Sequence, residues 1–183
     1  MLGRMDAQTQ SFLTQAATFT ALLTDPGDWE AASPCEQWTA ADVVAHLVET
    51  ERGTLESRGV LLPEPELTSD PGQAWSAHLD VLRDVLADET LTTASYEGMF
   101  GATTLADTLA EFYRFDLIVH GWDIGRAWGR PPRLTDAELD TVEALIDKTG
   151  PMLYSEGVCA SPILTPDGAD RQTRVLGRLG RES

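Results

Sequence analysis

The stretch Phe112-Tyr113-Arg114-Phe115-Asp116-Leu117-Ile118-Val119-His120-Gly121-Trp122-Asp123 limits what this chain can fold into, because it sets ionisable groups inside a run that otherwise asks for burial. A carboxylate buried without a partner is costly, so Asp116 calls for a salt bridge, with Arg114 or Arg126 as nearby cations, or for a bound cation. In a helix, residues four apart stand one turn above each other, which puts His120 on the face of Asp116. That pairing favours the cation. A third ligand has to come from another element, and His46, within Ala41-Asp42-Val43-Val44-Ala45-His46-Leu47-Val48, lies in a second apolar, helix-like run. Helix bundles build metal sites in this way, from inward side chains on facing helices.

Helical signals recur along the chain. Phe12, Leu13, Ala16, Phe19, Leu22 and Leu23 fall near a 3.6-residue period and predict a first helix over residues 5–23, stopped by Thr24-Asp25-Pro26-Gly27-Asp28. Residues 29–38 hold Pro34, Cys35 and two tryptophans without helical period, an ordered loop that its tryptophans would anchor by burial. Thr39-Ala40-Ala41-Asp42 resembles a capping box and opens a second helix reaching Glu51 or Arg58, with His46 in its second turn. After an irregular connection over residues 61–69, Ser69 or Asp70 caps a third helix that starts with Pro71 and runs to about Leu86. Residues 88–103 read both ways, strand-like at Thr92-Thr93-Ala94-Ser95-Tyr96 and loop-like at Gly98 and Gly101. Thr104 caps the longest helix, ending at Ala127 or Trp128. Gly121 and Gly125 within it cost about 1 kcal/mol each relative to alanine, which close packing or a crowded site would explain. Thr135-Asp136-Ala137-Glu138 is a capping box for a helix to about Thr149. Beyond Gly150 the pattern loosens, residues 170–179 form a last amphipathic turn or two, and the final residues are expected to fray.

The 183 residues read as a single domain over 1–183, large enough for a hydrophobic core without staples. A formal net charge of −17 argues against nucleic acid and anionic membrane surfaces as partners. No apolar run approaches the ~20 residues of a membrane span, and Met1-Leu2-Gly3-Arg4-Met5-Asp6 lacks a signal-peptide core, so a cytoplasmic protein is expected. The two cysteines, Cys35 and Cys159, form no C-x-x-C pair, and no basic residue flanks Cys35, so both are expected to be inert buried thiols. No nucleophile elbow, phosphate-cradling glycine loop or dinucleotide fingerprint is present. His78 is a rival third ligand, although its position suits an exposed surface histidine better. Asp123 suits equally a carboxylate fixing the His120 tautomer and a plainer role, as a solvated helix-end charge or an arginine partner.

Two histidines and one carboxylate suit zinc at about 2.0–2.2 Å and leave coordination positions open. Nickel, manganese and ferrous iron are alternatives for the same donors. The segments Trp29…Ser33-Pro34-Cys35-Glu36-Gln37-Trp38-Thr39-Ala40-Ala41-Asp42-Val43-Val44-Ala45-His46-Leu47 and Asp116-Leu117-Ile118-Val119-His120-Gly121-Trp122-Asp123 resemble the DinB-like superfamily, and within it the metal-binding domain of mycothiol-dependent maleylpyruvate isomerases. The tail Asp170-Arg171-Gln172-Thr173-Arg174-Val175-Leu176-Gly177-Arg178-Leu179-Gly180-Arg181 resembles the ending of short actinobacterial members.

The resemblance implies an all-α, DinB-like four-helix bundle with extra short C-terminal helices, and a divalent metal on His46, Asp116 and His120. It implies a low-molecular-weight thiol as co-substrate, mycothiol or bacillithiol, for S-transfer or thiol-dependent isomerisation, and a homodimer. Two departures argue against maleylpyruvate isomerisation itself: the stretch after Gly150 is short where the isomerase carries a further domain, and Asp116 stands where the isomerase has glutamate. The expected function is a metal-dependent thiol S-transferase acting on a small electrophile, in a cleft lined by some of Trp38, Trp122, Phe112 and Phe115, with no general base singled out. The alternative is a non-catalytic helical bundle that binds a metal or small ligand or serves dimerisation.

Overall fold

The computed structural model describes residues 6–63, 68–155 and 157–182. The proposed start of the first helix at Met5 and the part of the 61–69 connection around Pro65 lie outside the described residues. Helix α1 (Ala7–Leu23) opens at Asp6, whose carboxylate accepts from the backbone N–H of Gln8 and Thr9. Helix α2 (Ala40–Ser57) begins with the expected reciprocal cap, Thr39 accepting from Asp42 N while Asp42 accepts from Thr39 N. Helix α3 (Pro71–Leu86) is capped by Asp70 with Pro71 in the first turn.

The ambiguous segment resolves into three pieces. A short helix, α4 (Glu89–Thr93), leads into an antiparallel hairpin of β1 (Ser95–Gly98) and β2 (Gly101–Thr104), with Ser95 opposite Thr104 and Gly98 opposite Gly101. The described residues are therefore mostly helical, with one small two-stranded sheet. Tyr96 on one arm and Thr103 and Thr104 on the other favour strand, and the turn closes because Gly101 adopts φ of 104°, where a side chain would be strained.

Thr104 caps the long helical stretch as predicted, but the stretch is not uniform. It runs as α5 (Leu105–Thr108), a π-helical turn (Leu109–Tyr113) and α6 (Arg114–Ala127). Such π turns inside α-helices frequently mark functional sites. Helix α7 (Asp136–Thr149) carries the Thr135/Glu138 capping box and is followed by a 3-10 turn (Gly150–Tyr154) and a last helix, α8 (Arg171–Gly177).

Two apolar clusters form the core, and α6 lies between them. Leu117 and Ile124 join Phe12, Phe19, Leu47, Trp75 and Leu82 from α1, α2 and α3. Phe115, Ile118, Val119 and Trp122 join Leu139, Val142, Ile146, Val175 and Leu176 from α7 and α8. A helix buried on both sides has to be apolar nearly all round, which accounts for the composition of the 112–123 stretch. Gly125 is explained by close approach: a Cβ there would fall 2.5 Å from Pro132 Cδ and 3.0 Å from Arg130 O, so glycine lets the chain fold back beneath the end of α6. Gly121 meets only ordinary contact, with Phe19 Cδ2 at 3.4 Å. The described C-terminal residues are not frayed, since Val175, Leu176, Leu179 and Arg181 are all buried. Among the described residues no helix is long and apolar enough to cross a membrane.

Candidate metal centre

Helices α2 and α6 pack directly on each other and bring the rings of His46 and His120 to 5.3 Å between centroids. Asp116 stands one turn before His120, and all three side chains line a cavity of about 490 Å³. The residues named from the sequence therefore line one cavity, although the ligand atoms that close within 4.8 Å of one another belong to a different group, Cys35, His120 and Asp123. Neither Arg114 nor Arg126 engages Asp116, and its carboxylate has no hydrogen-bond or ion-pair partner among the described residues. Burial raises its pKa to about 6, against the pull of the His120 and Arg181 charges.

His46 is half-buried beneath Trp38, 4.8 Å away between ring centroids. Burial, helped by the neighbouring His120, pushes its pKa down to about 4, so the imidazole is neutral at pH 7. A neutral ring is the form that binds a cation.

His120 is held differently. Its Nδ1 lies 3.0 Å from Asp123 Oδ2, which ties that nitrogen and leaves Nε2 without a partner among the described residues. Burial alone would lower its pKa, but the bonds to Asp123 and Cys35 and the charges of Asp123 and Asp116 outweigh it and raise the pKa to about 10. Proton and cation compete for the same lone pair, so carboxylates that raise the proton affinity of a ring also raise its basicity as a ligand.

Asp123 fills both of the roles open to it. It bonds His120, and both of its oxygens accept from Arg181, Nε to Oδ1 and Nη2 to Oδ2, each at 2.8 Å. Burial would raise its pKa, yet those bonds and the Arg181 charge hold it at about 2. Cys35 completes this group, with Sγ 3.4 Å from Asp123 Oδ2, 3.9 Å from His120 Nδ1 and 3.5 Å from Arg181 Nη2. The ligand atoms of Cys35, His120 and Asp123 lie within 4.8 Å of one another, a candidate cation-binding group among the described residues. A cation is already there, however: the guanidinium of Arg181 touches both Asp123 and Cys35, so a metal ion between them would meet a fixed positive charge. The same three residues are better arranged to orient His120 than to ligate.

Several expectations are corrected here. His78 is buried rather than exposed; its Nε2 sits 2.8 Å from Glu51 Oε2, away from the cavity, between α2 and α3. Cys35 does have a basic neighbour, supplied by the far end of the chain. Phe112 lines the cavity and Phe115 an adjoining space that shares Asp116 and His120 with it, whereas Trp122 is packed into the second apolar cluster. Arg181 escaped the sequence reading altogether, because nothing local links it to Asp123; the likeness of the tail to related chains pointed at its segment but not at its partner. Gly180 places it: with φ of 77° and a would-be Cβ 2.6 Å from Ala160 Cβ, only glycine fits the turn that aims Arg181 inward.

Fold and site together define a mostly helical protein with a histidine–carboxylate cluster opening on a cavity. Residues 10–59, spanning most of α1, the tryptophan loop and α2 with His46, match the family model of the mycothiol maleylpyruvate isomerase N-terminal domain. That match supports the DinB-like, mycothiol-isomerase metal-binding family read from the sequence. No curated protein and no solved structure matches the chain.

Proposed function

We propose that residues 1–183 form one DinB-like domain of four-helix-bundle type that binds a divalent cation, zinc foremost, through His46, Asp116 and His120, and transfers a low-molecular-weight thiol of the mycothiol type to a small electrophile. The observation that carries this reading is the partnerless Asp116 carboxylate facing a cavity beside two imidazoles, one neutral and one with a free Nε2. The donors fit the cation: neutral nitrogen and carboxylate oxygen are its usual ligands, and three protein ligands leave a position for a co-substrate. A cation held there would lower the proton affinity of a thiol brought to it, so that the sulfur is nucleophilic at neutral pH.

In the transfer, a bond forms between the thiol sulfur and the electrophilic carbon while the bond from that carbon to its leaving group breaks. The leaving group departs with the bonding pair, and the thiol proton passes to solvent. The chain's own residues supply position. Asp123 and Arg181 fix the ring of His120, and Phe112 and Phe115 wall the reacting atoms from water.

Metal content of the untagged protein tests the reading. About one divalent ion per chain is expected in the wild type and none in His46→Ala or His120→Ala, followed by consumption of mycothiol with an alkylating electrophile in the wild type alone. A wild type that holds no metal and takes up none on zinc reconstitution overturns the proposal.

A further inference from the structure

The space beside Asp116 and His120 has two branches. One is the cavity described above, which passes the hydroxyl-bearing residues Thr50, Thr54, Ser57, Tyr96 and Thr108. The other, about 400 Å³, is walled by Phe115, Val119, Leu145, Met152 and Leu153. Asp116, His120 and Phe112 belong to both and mark the junction, while Met99, Phe100 and Val158 edge both branches at a common mouth. The second branch is built by α6, α7 and the turn after α7, with the hairpin tip and Ser155, Val158 and Cys159 at its edges, all outside the segment matched by the family model.

Most polar groups of the second branch are already engaged. Arg181 is spent on Asp123, the Thr149 hydroxyl donates to Leu145 O and the Cys159 thiol to Leu179 O, which leaves the Ser155 hydroxyl at the exposed edge. Among the described residues lining this branch beyond the junction, no charged side chain remains for an ionic ligand. The rim is apolar as well: Met99, Phe100, Met152 and Val158 are 77%, 40%, 51% and 63% exposed, and all four edge this branch. Single exposed apolar residues need no explanation, but four around one opening mark a binding site. Phe100, at the tip of the β-hairpin, stacks on Phe112 with ring centroids 6.1 Å apart, so the hairpin roofs the junction.

We infer that the apolar branch seats the electrophile, which is therefore an uncharged molecule with an aromatic or aliphatic body, while the hydroxyl-lined branch seats the thiol. This rests on the proposed transferase reading for the word electrophile; the apolar seat itself does not require the metal. Binding of N-phenyl-1-naphthylamine, an uncharged probe that fluoresces in apolar surroundings, tests it on the full chain with zinc and after EDTA treatment. Saturable binding with one probe per chain is expected in both forms. Thr149→Trp, which fills the branch, and Met152→Asp, which puts a carboxylate at its exposed rim, weaken binding by about tenfold or more, whereas Ser57→Trp in the other branch changes it by less than about twofold. Absence of saturable binding in the wild type, equal binding in all variants, or an equal loss in Ser57→Trp overturns the inference. Should Thr149→Trp fail to fold, Met152→Asp decides alone. Probe binding by a chain that takes up no zinc would remove the transferase reading and leave the apolar site standing.

Discussion

Replacing Arg181 by methionine removes the one cation that neutralises Asp123 from the far end of the chain. The pair is shielded from solvent, with Arg181 8% and Asp123 0% exposed by side chain, so no solvent screening softens the loss. Breaking a buried ion pair by removing one partner costs about 3–5 kcal/mol. Two features set where in that range the cost falls. The His120 ring remains 3.0 Å from Asp123 and, being protonated, still offsets part of its charge. The bond from Arg181 Nη1 to Leu179 O, at 2.8 Å, is lost as well and adds about 1 kcal/mol. A loss of about 3–4 kcal/mol is expected. Urea unfolding of metal-free protein, followed by far-ultraviolet circular dichroism, measures it without the linkage a bound ion would add. With a slope of about 1–3 kcal/mol per molar, the midpoint moves down by about 1–4 M at unchanged slope. Asp123→Asn together with Arg181→Met should cost less than the sum of the two, by about 2 kcal/mol or more, because each single change strands the other group. A loss below about 1 kcal/mol, or strict additivity, would refute a closed Asp123–Arg181 pair.

Two smaller perturbations probe other parts of the fold. Thr135→Ala removes the acceptor for Glu138 N at the start of α7 and should lower stability by about 1 kcal/mol in the same urea assay; no change would mean that α7 does not depend on its cap. Burial raises the Glu51 carboxyl above its ordinary value of 4.5, against the pull of His78. A raised folded-state pKa means that Glu51 contributes stability fully below 4.5 and loses it as pH rises through the folded value. The stability of the wild type relative to Glu51→Gln should accordingly fall as pH climbs from about 4.5, and a difference independent of pH between about 4 and 8 would contradict the burial argument.

What could be read from the chain alone was whatever depends on neighbours in sequence. Thr39/Asp42 and Thr135/Glu138 caps act over three residues, and both formed where the pattern put them. The spacing of Asp116 and His120 is a property of one helix, and α6 places both on the wall of one cavity. Partners in a core were harder. His78 looked like a surface residue because helical period does not say how far α2 and α3 close over each other, and Glu51 was not visible as its counterpart. The hairpin at Ser95–Thr104 was left open because four-residue strands carry too few alternations to outweigh their glycines.

The sequence by itself determined the longer helices and their starts, and the expectation that a carboxylate at Asp116 needs a counter-charge, since the desolvation of a carboxylate in an apolar run is a local fact. Only the tertiary structure decided that the Asp116 carboxylate meets no hydrogen-bond or ion-pair partner among the described residues, that two spaces of different lining adjoin it, and that Arg181 closes on Asp123 and Cys35. Those contacts join residues separated by 58 and 146 positions. Local periodicity carries no information over such separations; the packing of α7 and α8 onto the second face of α6 brings the groups together.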